Sequence, residues 1–219
     1  LIAPMLASHS NDIAFIILLA GPGKWGPEFF RSQAIAMAKA TGCGEYEFGR
    51  IRELYEQLIP IWTKGNISRS EEQEGYKILE KLWQYEDSDS RKILGNTDAA
   101  AFLSFMQSEH IREFLEYDPA ATLRNVKCPV LAIIGDKDVQ VPSSENPTAI
   151  DSALHAGGNK YYNIVELRDL NHLFQKCGTG LVSEYPTIRE SISPVVLDTI
   201  ADWFRAAGII HTGSEGTRK

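Results

Sequence analysis

Two apolar runs in the sequence are each followed by a residue that can take part in proton transfer. Asp138 follows the segment at 130–134, and His172 follows the segment at 162–167. Asp138 precedes His172 by 34 residues in the sequence. An imidazole can take the proton of a hydroxyl group and make it a nucleophile. A carboxylate beside the imidazole fixes its tautomer and stabilises the imidazolium that forms. The sequence therefore indicates an acid–imidazole pair, provided that the fold brings the two loops together.

Other acidic and imidazole side chains compete for these roles. Asp136 is the main alternative to Asp138, but we interpret it as a turn residue, since Asp readily accepts bonds from the backbone after a strand. Asp169 is interpreted as a solvated loop charge. The remaining histidines have no such placement and are interpreted as ordinary polar residues: His9, His110, His155 and His211.

The elements that would position Asp138 and His172 follow from the apolar pattern. Residues 13–20 and 130–134 are continuously apolar, which is typical of strands covered on both faces in a parallel sheet, and residues 162–167 are predicted as the third strand. Residues 148–156 and the segment after Ser193-Pro194 have helical patterns. The order strand, long helical insertion, strand, helix, strand, helix predicts an α/β fold with a parallel sheet, whose strands end at one edge.

The insertion between the first two strands has a different character. Residues 24–122 contain apolar side chains at helical spacing and no convincing strand, which predicts an all-helical subdomain. Within it we predict a capping box at 70–73, a kink or helix end at Pro60, and one helix over 98–116. Most of its aromatic side chains are interpreted as core, with a few facing a cleft.

Taken together, the motifs resemble those of the α/β-hydrolase family, and in particular a bacterial branch of esterase-like and peptidase-like members. The family's acid motif is Gly, two residues, then Asp; here it corresponds to Gly135 and Asp138. The family's histidine follows the last strand, as His172 does. The resemblance implies that Asp138 is the acid and His172 the general base of a Ser-His-Asp triad, in the chain order Ser, Asp, His. It also implies that residues 24–122 form a helical lid.

One family motif is missing from the chain. The nucleophile elbow, Gly-x-Ser-x-Gly, does not occur between residues 1 and 219. Residues 1–10 look like the helix that follows this elbow, so we expect the serine to lie upstream of Leu1. The fold class expected is thus α/β: an incomplete α/β-hydrolase fold with the last three parallel strands and an inserted helical lid. Its expected parts are a core (1–23 and 123–210), a lid (24–122) and a disordered tail (211–219).

The function implied by the resemblance is hydrolysis of a carboxylic ester through an acyl-enzyme, with a small-molecule ester or amide as substrate. Two alternatives stay open: a serine peptidase of the same fold, and a non-catalytic binding or scaffold unit. The chain on its own is expected to be inactive. Because its apolar start would be uncovered, we expect it to self-associate or to pair with the missing N-terminal half.

Composition excludes several other classes. The formal net charge of −7 argues against binding to nucleic acid or to an anionic membrane surface. No apolar stretch is long enough to span a bilayer, and Cys43, Cys128 and Cys177 do not suggest a disulfide framework. Nothing in the sequence implies a metal or an organic cofactor, and no compartment is indicated.

Overall fold

The computed structural model describes residues 2–64, 66–85 and 98–208, without the side chains of residues 110 and 112–114. The predicted tail at 211–219 lies outside the described residues, so its disorder stays a prediction.

A parallel sheet of three strands runs through the described chain in the order β1-β2-β3. The strands are β1 (Ile16–Leu19), β2 (Val130–Gly135) and β3 (Tyr162–Leu167). Ile16 pairs with Val130 in the first ladder, and all six residues of the central strand β2 are buried. This arrangement confirms the predicted α/β fold with parallel strands.

Helices cover the sheet and fill the long interval between β1 and β2. In chain order they are α1 (Ile2–His9), α2 (Pro27–Ala40), α3 (Glu45–Trp62), α4 (Arg69–Leu82), α5 (Ala99–Met106), α6 (Glu109–Glu116), α7 (Pro119–Leu123), α8 (Asn146–Ala156) and α9 (Pro194–Ala206). Short 3₁₀ segments occupy Trp83–Tyr85 and Val182–Thr187.

Alternate residues of β2 face two different apolar clusters. Val130, Ala132 and Ile134 pack with Ile150 and Leu154 of α8 on one face of the sheet. On the other face, Leu131 and Ile133 pack with Val196 and Trp203 of α9. Burial on both faces explains why the strand is continuously apolar in sequence. The sheet is thereby fixed between helices, with its carboxyl edge free to carry loops.

A separate apolar cluster holds the helices between β1 and β2 together. Its largest fully buried members come from α3, α4 and α5: Ile51, Leu58, Trp62, Ile78, Leu79, Leu103 and Met106. The indole N–H of Trp62 donates to the backbone carbonyl of Met106, at 3.1 Å. This bond gives the buried N–H group a hydrogen-bond partner inside the cluster.

Strand β1 is shorter than the run of apolar residues predicted. The run covers 13–20, whereas the strand covers Ile16–Leu19. The ladder begins where the Ile16 N–H donates to the carbonyl of Pro129. Strand β2 starts at Val130, so residues 13–15 have no β2 residue to pair with. At the other end, Ala20 has a φ of 49° and leaves the strand conformation.

Two local predictions in the helical region were wrong in detail. The single helix predicted over 98–116 is two helices, α5 and α6, because the Ser108 hydroxyl accepts the N–H of Ile111 and starts a new helix. The capping box is formed by Ser68 and Glu71, not by residues 70–73. At Pro60, where a kink or a helix end was predicted, helix α3 continues for two residues and ends at Trp62; the kink stays a prediction.

Candidate active site

Asp138 lies in the loop that leaves the carboxyl end of β2. Its Oδ1 accepts the backbone N–H groups of Gln140 and Val141, both at 2.8 Å. The side chain is fully buried, so these two bonds replace the water that an ionised carboxylate needs. The carboxylate is thus held in one orientation with Oδ2 turned away from its own loop.

His172 meets that second oxygen. Its Nδ1 lies 2.9 Å from Oδ2 of Asp138, and 29% of its side chain is exposed. When Nδ1 donates to the carboxylate, Nε2 carries the lone pair and is the atom that can accept a proton. The structure therefore brings the two predicted residues into hydrogen-bonding contact, with the base on the accessible side of the acid.

The loops that carry Asp138 and His172 are bonded to each other at several points. Asp136 accepts the N–H of Asp169 at 2.7 Å, and the Lys137 N–H donates to the carbonyl of Leu170. The Lys137 ammonium lies 2.8 Å from Asp169 and also donates to the carbonyl of Cys177. The bond with Lys137 lowers the pKa of Asp169, and it raises that of Lys137. Asp136 therefore connects the two loops, and it forms no hydrogen bond or ion pair with His172 among the described residues.

Asn171, the residue before His172, organises the histidine loop from inside. It is fully buried, and its side-chain oxygen accepts the N–H groups of Leu173 and Gln175, both at 3.0 Å. Its amide group donates to the side chain of Gln175 at 3.1 Å. The sequence offered only the Asn-His adjacency as a signal for this role, and no structural role was assigned to Asn171 from it.

Gln140 links the acid loop to two distant parts of the chain. Its side-chain amide donates to the hydroxyl of Tyr185 at 2.7 Å, and its carbonyl accepts the side-chain amide of Gln33 in α2 at 2.9 Å. Burial raises the pKa of Tyr185 to about 12, so the hydroxyl stays neutral over the physiological range. These contacts fix the backbone that holds Asp138, and nothing in the sequence indicated them.

Helix α2 also packs directly on the acid loop. Met37 of α2 forms a buried cluster with Val139 and Leu181. Glu145, which follows the acid loop, accepts the hydroxyl of Ser32 at 3.0 Å and pairs with Lys24 at 3.3 Å. The first helix after β1 is thus attached to the carboxyl edge of the sheet.

The close approach of the two loops depends on the lack of a side chain at Gly135. A Cβ there would lie 2.2 Å from the backbone carbonyl oxygen of Leu170. We expect Gly135→Ala to lower the free energy of unfolding by about 3 kcal/mol, since a backbone must move to relieve the clash. Urea denaturation measures this change.

Gly49→Ala is the matched control for Gly135→Ala. A Cβ at Gly49, inside α3, meets no atom within 4 Å. Its replacement should raise stability by roughly 0.5–1 kcal/mol, because alanine favours the helix. A loss below about 1 kcal/mol for Gly135→Ala would contradict the close approach of the loops.

The other candidate residues take no part in the Asp138–His172 pair. The imidazole of His9 contacts the hydroxyl of Ser8 and the carbonyl of Met5, and His155 is exposed at the end of α8. The side chain of His110 and all of His211 lie outside the described residues. The three cysteines are free thiols, and burial raises the pKa of Cys177 to about 11.

Metal-binding and membrane-spanning features were sought in the same described ranges. Within 2–64, 66–85 and 98–208, no three His, Cys, Asp or Glu side chains are grouped so that they could hold a metal ion. No helix in this part of the chain has the length and apolarity needed to cross a bilayer.

The fold and the site define an α/β protein with an Asp–His pair at the carboxyl edge of a parallel sheet. No protein-family model matches the chain, and no curated protein does. The chain is similar to a crystal structure from Mycobacterium tuberculosis H37Rv, assigned as the non-heme bromoperoxidase BpoC, with 15% sequence identity and a TM-score of 0.39. The match covers 94% of this chain and 63% of that one. Similarity at this level gives no grounds for transferring an activity or a residue role.

Proposed function

We propose that this chain supplies the acid and the base of a Ser-His-Asp triad that hydrolyses a carboxylic ester, in an α/β-hydrolase-like fold. The observation that carries the proposal is the contact between Asp138 and His172, with the carboxylate buried and its other oxygen held by two backbone N–H groups. A buried carboxylate that orients an accessible imidazole is the arrangement that general-base activation of a hydroxyl requires.

The proposed reaction assigns one task to each residue. Nε2 of His172 takes the proton of the serine hydroxyl while the oxygen attacks the ester carbonyl, and Asp138 stabilises the resulting imidazolium. The imidazolium then protonates the departing alcohol as the carbon–oxygen bond breaks, which leaves an acyl-enzyme. A water molecule, deprotonated by the same imidazole, attacks the acyl group. Its proton returns to the serine oxygen, and the carboxylic acid is released.

The nucleophile in this proposal is not supplied by the 219 residues. Gly-x-Ser-x-Gly does not occur in the sequence. The oxyanion-hole donor that depends on it, the backbone N–H of the residue after the serine, is therefore not supplied by these residues either. We propose that both come from a segment of polypeptide that precedes Leu1. Hydrolysis then requires that segment to be joined to the chain or bound to it.

The helical region from residue 24 to residue 122 is proposed as a lid that selects the acyl or alcohol group. The contacts of α2 with the acid loop, through Gln33 and Met37, support this role because that loop leaves the carboxyl end of β2. A serine peptidase of the same fold would use the same acid and base. Comparing turnover of a nitrophenyl ester with that of a peptide anilide separates the two activities.

A non-catalytic binding or scaffold unit is the second candidate function. It is favoured by the missing elbow, since a chain that kept the fold without a nucleophile could still bind a ligand. The sequence of the segment encoded before Leu1 discriminates between the candidates. A Gly-x-Ser-x-Gly motif there supports the enzyme, and its absence supports the scaffold.

The exposed apolar side chains of α1 and the outer edge of β1 are proposed as the places where the preceding segment, or a second copy, binds. Ile2, Leu6 and Leu19 expose 73%, 58% and 46% of their surface, and β1 lies at one end of the sheet. Exposed apolar side chains beside an open strand edge favour association.

We expect the 219-residue chain to self-associate in sedimentation velocity experiments. We expect Leu6→Glu to weaken this association roughly tenfold, because a leucine that the association would cover is replaced by a charge. Leu197→Glu, at an equally exposed position of α9, is the control and should have no such effect. Monomeric behaviour at every concentration would rule out self-association through this surface.

The direct test of the enzymatic proposal is turnover of a short-chain nitrophenyl ester by two polypeptides. Residues 1–219 alone should give only background hydrolysis. The polypeptide that also carries the segment encoded before Leu1 should hydrolyse the ester, and the activity should depend on Asp138 and His172.

A further inference from the structure

A single peptide group of the acid loop connects Asp138 to the helical region. This group joins Gln140 to Val141, and its N–H donates to Oδ1 of Asp138 at 2.8 Å. The carbonyl of the same group accepts the side-chain amide of Gln33, in α2, at 2.9 Å. The two bonds lie on opposite sides of one trans peptide, since the described residues contain no cis peptide bond. Gln33 is therefore separated from the carboxylate by one peptide group.

The donor at Gln33 is fixed by the chemistry of its partner. A backbone carbonyl can only accept a hydrogen bond, so the atom of Gln33 that meets it is the amide nitrogen. Met37, one turn further along α2, packs with Val139 of the acid loop in a buried cluster. Gln33 and Met37 thus lie on one face of α2, and this face is the one that contacts the acid loop.

Hydrogen bonds that share a peptide group strengthen one another. A donor at the carbonyl polarises the peptide and makes its N–H a stronger donor. Oδ1 of Asp138 also accepts the N–H of Gln140, which belongs to the preceding peptide group and does not share the carbonyl that Gln33 binds. The bond from Gln33 therefore acts selectively on the bond between Val141 and the carboxylate.

We propose that Gln33 is a positioning residue for the acid of the triad. Through one peptide group it holds Oδ1 of Asp138, so that Oδ2 stays directed at Nδ1 of His172. The imidazole then keeps the tautomer whose Nε2 can accept a proton. Since Gln33 belongs to α2, the acid is held in this way only while α2 is docked on the acid loop. The role of Gln33 in turnover rests on the proposed function, whereas the series of hydrogen bonds does not.

Two neighbouring variants separate this role from simple attachment of α2. Gln33→Met keeps the length of the side chain and removes its donor. Ser32→Ala removes the adjacent bond, in which the Ser32 hydroxyl donates to Glu145 at 3.0 Å, outside the series that ends at Asp138. Each variant loses one hydrogen bond between α2 and the segment that follows β2. Only Gln33→Met interrupts the series that leads to the carboxylate.

The first measurement uses the ¹⁵N-labelled 219-residue chain and requires no hydrolysis. In Gln33→Met we expect the amide proton of Val141 to move upfield, as its bond with the carboxylate weakens, and to move further than the amide proton of Gln140. The ring ¹⁵N shifts of neutral His172, from long-range ¹H–¹⁵N correlation spectra, should move toward those of the tautomer with its proton on Nε2. Ser32→Ala should cause neither change. An otherwise unchanged amide spectrum shows that the fold is retained.

The second measurement is ester hydrolysis by the polypeptide that also carries the nucleophilic serine. Gln33→Met should lower kcat about fivefold, the size of effect that one neutral hydrogen bond produces, and leave KM nearly unchanged. Ser32→Ala should alter neither constant. If the unsubstituted polypeptide does not hydrolyse the ester, the proposed function fails, and the spectra of the 219-residue chain still decide whether Gln33 positions Asp138.

A second substitution covers the case in which Gln33→Met does not fold. Gln33→Glu replaces the donor by a carboxylate, which cannot bond to the carbonyl of Gln140, and should produce the same spectral changes and the same loss of kcat.

Three results would overturn the proposal. The first is a shift of the Val141 amide proton in Gln33→Met that is no larger than that of Gln140. The second is an equal effect of Ser32→Ala on the ring of His172, which would reduce Gln33 to an attachment point of α2. The third is an unchanged kcat of Gln33→Met in an active polypeptide.

Discussion

Replacing His172 with alanine is expected to lower the turnover of a short-chain nitrophenyl ester about 10⁶-fold in the polypeptide that also carries the nucleophilic serine. The expected loss is this large because serine, histidine and acid act as a unit, and a hydroxyl without its base stays protonated. The measurement is kcat under saturating substrate, with the concentration of intact protein determined by mass spectrometry.

His155→Ala is the control for the His172 prediction. This histidine is exposed at the end of α8 and should be replaceable without loss of turnover. If His172→Ala retained substantial hydrolysis, the base would be another residue. If residues 1–219 alone gave strong turnover that His172→Ala abolished, the nucleophile would be a residue within this chain.

Asp138→Asn is expected to lower kcat about 10⁴-fold in the same polypeptide while leaving the fold intact. The asparagine oxygen can still accept the N–H groups of Gln140 and Val141. Its amide group then faces Nδ1 of His172 as a donor, which favours the tautomer with the proton on Nε2. In that tautomer the imidazole cannot accept the serine proton.

Asp136→Asn provides the matched comparison for Asp138→Asn. Asp136 is an exposed carboxylate two residues away, bonded to the N–H of Asp169, and its replacement should have a small effect on kcat. A larger loss for Asp136→Asn than for Asp138→Asn would reverse the assignment of the acid. The pair of variants therefore decides between the two carboxylates that the sequence left in competition.

The features predicted correctly from the sequence are those encoded in short stretches of chain. Continuous apolar runs predicted strands covered on both faces, and β2, whose six residues are all buried, has that environment. The contact between Asp138 and His172 was anticipated because residues that follow neighbouring parallel strands share one edge of the sheet. Their catalytic roles stay a proposal.

The features missed depend on contacts between distant residues or on competition between equivalent local signals. Gln33 and Gln140 are 107 residues apart in sequence, and Gln140 and Tyr185 are 45 apart, so no local pattern predicts their bonds. Ser68 and Ser70 both begin a Ser-x-x-Glu/Gln pattern, and only the folded chain decides which one caps α4.

The most direct test of the central claim is to map the adduct of a fluorophosphonate probe, which reacts with activated serines. The polypeptide that carries the segment encoded before Leu1 is treated with the probe, digested and analysed by mass spectrometry. The proposed triad predicts one adduct, on a serine that precedes Leu1, which His172→Ala abolishes and His155→Ala does not. An adduct on a residue between 1 and 219, or labelling that is unaffected by His172→Ala, would contradict the claim that this chain supplies the acid and the base to a serine outside it.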